Sequence, residues 1–426
     1  MIKRNFLEKH INIILNISLI SSSIYFCIRL LDCFYFIDFP IGDEPIFVND
    51  FKYFLNHGFF NSIINGTSIP FTLLSVFIHK ITGLGDISTR IAGTLSSILL
   101  IYYFYTRLSF VNTSEKKYFF TMLLFLLPTS GASIAATNDS MFFLFLIMFI
   151  YETFIFKDNS KSNYILKIIS ISIVIMTRKV SLVYISVIIF GFIIFLLINK
   201  KVFLKESLSI FKTLFLGLVI AILFSVPRFV ENDYSLSYAD KSIYKKRGIT
   251  WTEWVFHSQL IGNENNRFGL FSLMVDWKEA LKYKNINGDE SLPDTYFEYL
   301  FFDSSFLLKR FISSLIEISI ISLRYVGILL YLLPIFIKMK LRNMEFDKSL
   351  LASIYTTIGI LCWAFIWPGL VQHRWLFPFY VLLIYSFSTN LRFFKKKLKF
   401  LLVCNLLIIN IIIIWVFWKE NFFYGI

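Results

Sequence analysis

Long apolar runs separated by short polar breaks fill most of this chain. A helix needs about 20 apolar residues to cross the hydrocarbon core of a bilayer, and many of the runs reach or approach that length. On this criterion the pattern predicts about eleven membrane-spanning helices and an all-α fold. The predicted spans are residues 11–31, 87–106, 118–135, 139–156, 163–177, 180–198, 208–227, 319–337, 349–369, 374–391 and 400–418.

Two polar segments are too long to be ordinary turns between such helices. The first covers residues 32–86, and the second covers residues 228–311, where charges of both signs are mixed with tryptophan. Loops of this length usually have a fold of their own or a function. We therefore predict an N-terminal transmembrane module, 1–227, that includes the first loop, a folded cap, 228–311, and C-terminal transmembrane helices, 312–426.

The positions of the basic residues predict which side of the membrane each loop faces. Cytoplasmic loops carry an excess of Lys and Arg. With the N-terminus placed in the cytoplasm, alternate short loops hold half of the 42 lysines and arginines, whereas residues 32–86 hold two basic and six acidic residues. Both long loops are therefore predicted to face the outside. The run Lys395–Lys397 is interpreted as a contact with anionic lipid headgroups.

Composition excludes several functional classes. The chain is 57% hydrophobic and only 16% charged, so a water-soluble fold is excluded. The net charge of +14 does not indicate nucleic acid, because it is explained by the loops that set orientation. The four cysteines lack the spacing of a zinc site or a disulfide framework. The first apolar run lacks a cleavage site of small residues, so we expect a retained helix.

Two adjacent carboxylates stand at the head of the first loop, in the sequence Gly42-Asp43-Glu44-Pro45. Gly and Pro favour a turn there, directly outside the first predicted helix. Such a pair is a common solvated surface feature, but a carboxylate in this position can also accept a proton. The next apolar segment begins at Pro70 and is followed by Gly83-x-Gly85-Asp86 and then by Arg90.

Cations gather at the ends of the predicted helices on the same outer face. Any one of them alone could be an interfacial residue, but five positions on one face indicate a binding site for phosphate, which arginine contacts with two donors at once. Asp139 begins the fourth predicted span, where it is either a helix cap or a site acid. The cationic positions are Arg90, Arg178, Lys179, Arg228 and the pair His373-Arg374.

In this order, the Asp-Glu pair, the Pro-led segment, the Gly-rich turn and Arg90 resemble the first external loop of GT-C class membrane glycosyltransferases. The similarity is to the protein O-mannosyltransferase and lipid A aminoarabinose transferase group, glycosyltransferase family 39. It covers roughly the first 200 residues in motif order and the remainder only in topology. The sequence departs from the group at residues 67–70, where the group often has a basic residue and two prolines.

The resemblance implies an inner (plasma) membrane enzyme that transfers a sugar from a polyprenyl-phosphate donor, by inversion, on the outer (periplasmic) face. The acceptor would be a glycan such as lipopolysaccharide O-antigen, a lipid or a protein. Asp43 would be the general base, Glu44 would support it, and Asp139 would orient the acceptor or the base. The cations named above would bind the donor phosphate. No cofactor and no nucleic-acid partner are expected. A divalent metal is possible near His57, His79, Asp43 and Asp139, but their spacing matches no ligand motif, so a metal site is not indicated.

Two other functions fit a polytopic chain of this length. An O-antigen polymerase or ligase has a similar number of helices, but it usually places its main loop and paired arginines later in the chain. A transporter or lipid flippase would show two related halves and helices broken by Gly or Pro near the middle of the bilayer. The early acidic loop favours the glycosyltransferase.

Overall fold

The computed structural model describes residues 2–35, 43–129, 137–156, 160–178, 180–198, 203–231, 247–264, 275–366 and 373–423. Within these ranges the chain forms seventeen α-helices and no β-strand. The prediction of an all-α protein is therefore confirmed.

Nine helices precede the second long polar segment. They are α1 (Ile2–Tyr35), α2 (Glu44–Asn65), α3 (Ile69–Thr82), α4 (Ile87–Arg107), α5 (Thr113–Thr129), α6 (Asp139–Ile150), α7 (Lys161–Thr177), α8 (Ser181–Ile198) and α9 (Phe203–Glu231). Eight follow: α10 (Trp251–Glu264), α11 (Trp277–Asn287), α12 (Tyr296–Phe302), α13 (Ser304–Val326), α14 (Leu329–Arg342), α15 (Lys348–Ile366), α16 (His373–Ser388) and α17 (Lys396–Phe423).

Five described helices are long and apolar enough to cross a membrane, which supports a membrane protein. Each lies on one of the predicted spans. The remaining predicted spans fall on helices that are shorter or more polar in the described residues, so the total of about eleven stays a prediction. The five are Glu8–Leu31, Ile87–Arg107, Ser181–Ile198, Leu208–Arg228 and Lys348–Phe365.

The predicted span 319–337 is not one continuous helix. It is divided between α13 and α14, which are bent by 97° at a short break. Gly327 lies in this break with φ of +58°, a conformation that favours glycine. Asn405 of α17 satisfies the backbone there, since its side-chain oxygen accepts from the Ile328 N–H at 3.0 Å and its amide donates to the Val326 carbonyl at 3.4 Å.

The chain forms two compact units. One contains residues 1–228, 322–358 and 377–426, and the other contains residues 229–321 and 359–376.

In the first unit, α1 packs against α5 and α17, while α6 packs against α4 and α7. A buried group that we call the apolar cluster joins α2, α3, α4 and α6, and Ile173 of α7 packs against it. At the far end of α4, Arg107 donates to both oxygens of Glu152 at 2.8 and 2.7 Å. Because α4 and α6 are in contact near both their starts and their ends, the two helices run in the same direction. The apolar cluster consists of Phe47, Phe71, Ile78, Ala92 and Met141.

The second unit contains α10, α11 and α12, which pack around Phe256, Leu292, Tyr299 and Phe306. An ion pair joins α10 to α11 in this unit, with Lys284 Nζ 2.7 Å from Glu253 Oε1. This hydrogen bond raises the pKa of Lys284.

Candidate functional site

The predicted acid pair begins α2, but its two members lie in different environments. Glu44 is the first residue of the helix and is only 2% exposed, whereas Asp43 is the capping residue and is partly exposed. The carbonyl of Asp43 accepts from the Ile46 N–H at 3.1 Å, which fixes the backbone of the first turn. Asp43 therefore stands at a hydrogen-bonded helix start, and its side chain is partly exposed.

Glu44 is paired with Arg90, the basic residue near the start of α4. Arg90 Nε lies 3.2 Å from Oε1 and Nη2 lies 2.8 Å from Oε2, so the guanidinium bridges both carboxylate oxygens. Both side chains are buried, at 3% and 6% exposure. A bidentate pair of this kind has defined geometry as well as charge neutrality. It fixes the first turn of α2, and with it Asp43, against α4.

A second ion pair joins the start of α6 to the end of α7. Asp139, the first residue of α6, is fully buried and accepts a hydrogen bond from Arg178, which follows α7. The neighbouring Asn138 donates to the Thr177 carbonyl at 3.0 Å, so two successive residues bind the same turn. The Arg178 side chain keeps 17% of its surface exposed, compared with 6% for Arg90.

Both ion pairs border the apolar cluster. Phe47 lies one turn after Glu44, Ala92 lies two residues after Arg90, and Met141 lies two residues after Asp139, and all three belong to the cluster. The structure thus brings Asp43, Glu44, Arg90, Asp139 and Arg178 to one end of the first unit. Residues up to 135 positions apart in the sequence are assembled there by α2, α4, α6 and α7.

Arg228, another predicted phosphate ligand, lies at the other end of α2. Its Nε donates to the Ile64 carbonyl at 3.0 Å and its Nη2 donates to the Gly66 carbonyl. A cation at the C-terminal end of a helix satisfies carbonyls that have no partner within the helix and opposes the helix dipole. In the described contacts Arg228 therefore fixes the connection between α2 and α3.

Two further contacts fold the first loop. Asp50 accepts from the backbone N–H and the hydroxyl of Thr67 at 2.7 and 2.6 Å, which positions the start of α3. His79 Nδ1 accepts from the Gly85 N–H at 3.1 Å, which fixes the turn into α4. Among the described residues, no three His, Cys, Asp or Glu side chains lie close enough together to bind a metal ion.

The group of residues just described leaves out three further predicted phosphate ligands, for two different reasons. Lys179 lies outside the described residues, as does the side chain of His373. Arg374 belongs to the second unit, where its guanidinium carbon lies 6.0 Å from the centre of the Trp375 ring and Trp375 stacks on Trp363. The roles of these three residues stay predictions.

Sequence reasoning missed the pairing of both arginines. A usable signal was present, because charges on apolar helices are rarely left without an opposite charge. That rule predicts that Arg90 and Arg178 have acidic partners, but not that these are Glu44 and Asp139. Each arginine thus has a carboxylate partner, and both pairs border the apolar cluster. Asp43, next to Glu44 at the start of α2, is a carboxylate of the kind that can accept a proton. No protein-family model matches the chain, and no curated protein matches it either.

Proposed function

We propose that this protein is an integral membrane glycosyltransferase that transfers a sugar from a polyprenyl-phosphate donor to an acceptor hydroxyl on the outer face of the membrane. The observation that carries the proposal is the contrast between Asp43 and Glu44. One carboxylate is accessible at a helix end, while its neighbour is buried in a bidentate pair with Arg90 that holds this helix end in place.

Asp43 is the general base of the proposed reaction. The acceptor oxygen forms a bond to the anomeric carbon as the bond from that carbon to the phosphate oxygen breaks. The electron pair of the breaking bond leaves with the polyprenyl phosphate, and the proton of the hydroxyl passes to Asp43. The phosphate is a competent leaving group, so no general acid is needed and the transfer is a single displacement with inversion.

Glu44 and Arg90 are positioning residues in this proposal. They act on Asp43 through the backbone of the first turn of α2, because their own charged groups are buried against each other. This differs from the expectation that Arg90 contacts the donor. The catalytic geometry then depends on the packing of α2 on α4, which places the base on a rigid element.

Arg178 is the donor-phosphate ligand that we favour among the described cations. It is the more exposed of the two paired arginines, and Asp139 fixes its orientation. An arginine oriented in this way can bind phosphate with little loss of side-chain freedom. Lys179 and Arg374 remain further candidates from the sequence. The acceptor class we favour is a cell-envelope glycan, with lipopolysaccharide O-antigen as the special case.

A transporter or lipid flippase is the second candidate, because of one observation. The helix pair α13 and α14 is broken at Gly327, and discontinuous helices are common at the binding sites of transporters. Asn405 satisfies the freed backbone groups at this break, as expected for a structural kink. No charged side chain takes part in those contacts.

The proposal is tested with membranes that contain the full chain. Labelled sugar on a polyprenyl phosphate is supplied on the outer side together with cell-envelope glycan, and transfer to the glycan is measured. Covalent transfer that depends on the chain supports the proposal. Movement of labelled lipid between leaflets without any new glycosidic bond would support the transporter instead.

A further inference from the structure

A polar cavity of about 530 Å³ lies at the opposite end of the first unit from the candidate site. It is formed where the start of α1, the start of α5 and the segment between α16 and α17 meet. Its volume is in the range of small-molecule sites. The residues that carry the argument are Glu8, Asn12, Glu115, Lys117, Arg392 and Lys399, and none of them belongs to the candidate site.

Glu115 gives this cavity a buried acceptor. The residue is 2% exposed, and its Oε1 has no hydrogen-bond partner among the described residues. The nearest cation is Arg392, whose Nε lies 3.7 Å from that oxygen, which is too far for a hydrogen bond. Burial raises the pKa of the Glu115 carboxyl, and this effect is opposed by the charge of Arg392 and by backbone hydrogen bonds from Asn112, Arg392 and Val111. An additional donor in the cavity would satisfy Oε1.

Three cations line the same cavity. Lys117 donates to Asn16 at 2.6 Å and is thereby held on α1, while the Arg392 guanidinium lies 4.5 Å from the centre of the Phe393 ring. Lys399 stands in the first turn of α17. The cavity therefore offers three cationic groups for a phosphate and two carboxylates, Glu8 and Glu115, for a positive group. A ligand with a phosphate and a positively charged group can therefore pair with the cations and with the carboxylates at the same time.

The surface beside the cavity is apolar. Ile13, Ile17, Ile20 and Ile24 are exposed along α1, spaced three and four residues apart, and they continue directly from Asn12 at the rim. Residues at this spacing form one face of a helix. An acyl chain attached to a headgroup in the cavity could lie along this face.

We propose that this cavity binds the phosphoethanolamine headgroup of a membrane lipid in the leaflet next to the basic loops, which is predicted to be cytoplasmic. Arg392 and Lys399 contact the phosphate, and Glu115 accepts from the ammonium group. The three N–H donors of a primary ammonium suit the buried Glu115 oxygen, whereas a glycerol headgroup brings no positive charge and a choline headgroup brings no N–H donor. The site is independent of the proposed transferase reaction.

The test is lipid retention by the full-length protein. Purified protein is exchanged into detergent with equal amounts of phosphatidylethanolamine, phosphatidylglycerol and phosphatidylcholine of the same acyl chains, and bound lipids are counted by native mass spectrometry. Wild type should retain phosphatidylethanolamine in preference to the other two. In the double variant Arg392→Gln/Lys399→Gln, the amount of retained phosphatidylethanolamine should fall at least about tenfold. In Lys399→Gln alone it should fall by less.

A matched control separates this site from general electrostatic attraction. Lys338→Gln/Arg342→Gln removes the same charge from exposed residues of α14 on the same predicted side, and retention should then equal wild type. Glu115→Gln should reduce the preference for the ethanolamine lipid over the glycerol lipid. Equal retention of all three lipids, or an equal loss in the control, would overturn the proposal. Displacement of the lipid by millimolar inorganic phosphate would assign the cavity to free phosphate instead.

Discussion

The two ion pairs of the candidate site show how charge is kept inside an apolar bundle. Arg90 donates two hydrogen bonds to Glu44, and both side chains are almost wholly buried. Burying two charges costs solvation energy that their attraction only partly recovers, so such a pair adds little net stability. Removing one partner is a different matter, because the other charge is left buried without compensation.

We therefore predict strong coupling between Glu44 and Arg90. Glu44→Gln or Arg90→Gln alone should destabilise the folded protein by about 3–5 kcal/mol. The double variant should lose much less than the sum, since neither charge then remains alone. The measurement is a double-mutant cycle from thermal unfolding in detergent.

The control for this cycle is the exposed ion pair of the same loop. Lys52 and Asp86 are about half exposed at 2.7 Å, so the same neutral substitutions should cost at most about 1 kcal/mol. Additive losses at Glu44 and Arg90 would contradict the assigned pairing.

Arg178 is predicted to act on the donor rather than on the chemical step. Arg178→Gln should raise the donor KM by about tenfold or more, because a charge-assisted contact to phosphate is removed. The value of kcat should fall much less. Donor titrations of the transfer reaction in membranes measure both constants. If Arg178→Gln lowers the amount of folded protein but leaves the donor KM unchanged, Arg178 is only a structural partner of Asp139.

At the scale of elements, α2 is fixed at both ends. Its first turn is bound to α4 through Glu44, and its last carbonyls are bound by Arg228 of α9. Between these ends, Asp50 binds Thr67 and so joins the helix to the start of α3. Within the described residues 43–86, the segment predicted as a long external loop therefore forms two helices, α2 and α3, and α2 is kinked at Gly58.

The sequence predicts single apolar helices well and their interruptions poorly. Residues 87–106 and 180–198 were predicted as spans, and the structure has helices at Ile87–Arg107 and Ser181–Ile198, because each apolar run is bounded by polar residues or a turn. The break at Gly327 was missed. One glycine in an apolar run is compatible with a helix, and the side chain that stabilises the break, Asn405, lies 77 residues away from Ile328.

We predict that Gly327→Ala destabilises the break between α13 and α14. A Cβ at this position would lie 2.0 Å from the Asn405 side-chain oxygen, and φ is already +58°. Backbone strain and displacement of Asn405 should together cost about 2–4 kcal/mol. Thermal unfolding of the purified variant gives the value.

The matched control is Gly83→Ala at the end of α3. Gly83 has φ of +72°, but a Cβ there would meet nothing within 4 Å. It should show only the backbone cost of about 1–2 kcal/mol. If Gly327→Ala and Gly83→Ala lose the same stability, Asn405 moves aside at no cost and the prediction is wrong.

Within the first unit, helix ends that the sequence assigns to one face lie at one end, and the side of the membrane that they face stays a prediction. Asp139 pairs with Arg178, and Arg90 lies near the same apolar cluster at that end of the first unit. Arg107 pairs with Glu152 at the other end of α4, just after α6. Sequence patterning could predict which helix ends share a face, because lysine and arginine mark the other face. It could not predict which carboxylate pairs with which arginine, since side-chain packing between distant helices decides that.

The predicted orientation has its own test. Cysteines introduced at residues 395–399 should react with a membrane-impermeant reagent only after the cells are opened, whereas cysteines at residues 240–290 should react in intact cells. The reason is the lysine excess on the first of these segments. Labelling of residues 240–290 only in opened cells would place the candidate site on the wrong side for an external lipid-linked donor.

The central claim is that Asp43 is the base of a glycosyl transfer. Asp43→Asn keeps the shape of the turn but removes the proton acceptor, so transfer of labelled sugar from polyprenyl phosphate should fall by about 10² to 10⁴-fold. The partly exposed position should tolerate the change with little loss of stability, and equal amounts of folded protein are compared. Transfer by Asp43→Asn at a rate close to that of wild type would contradict the account.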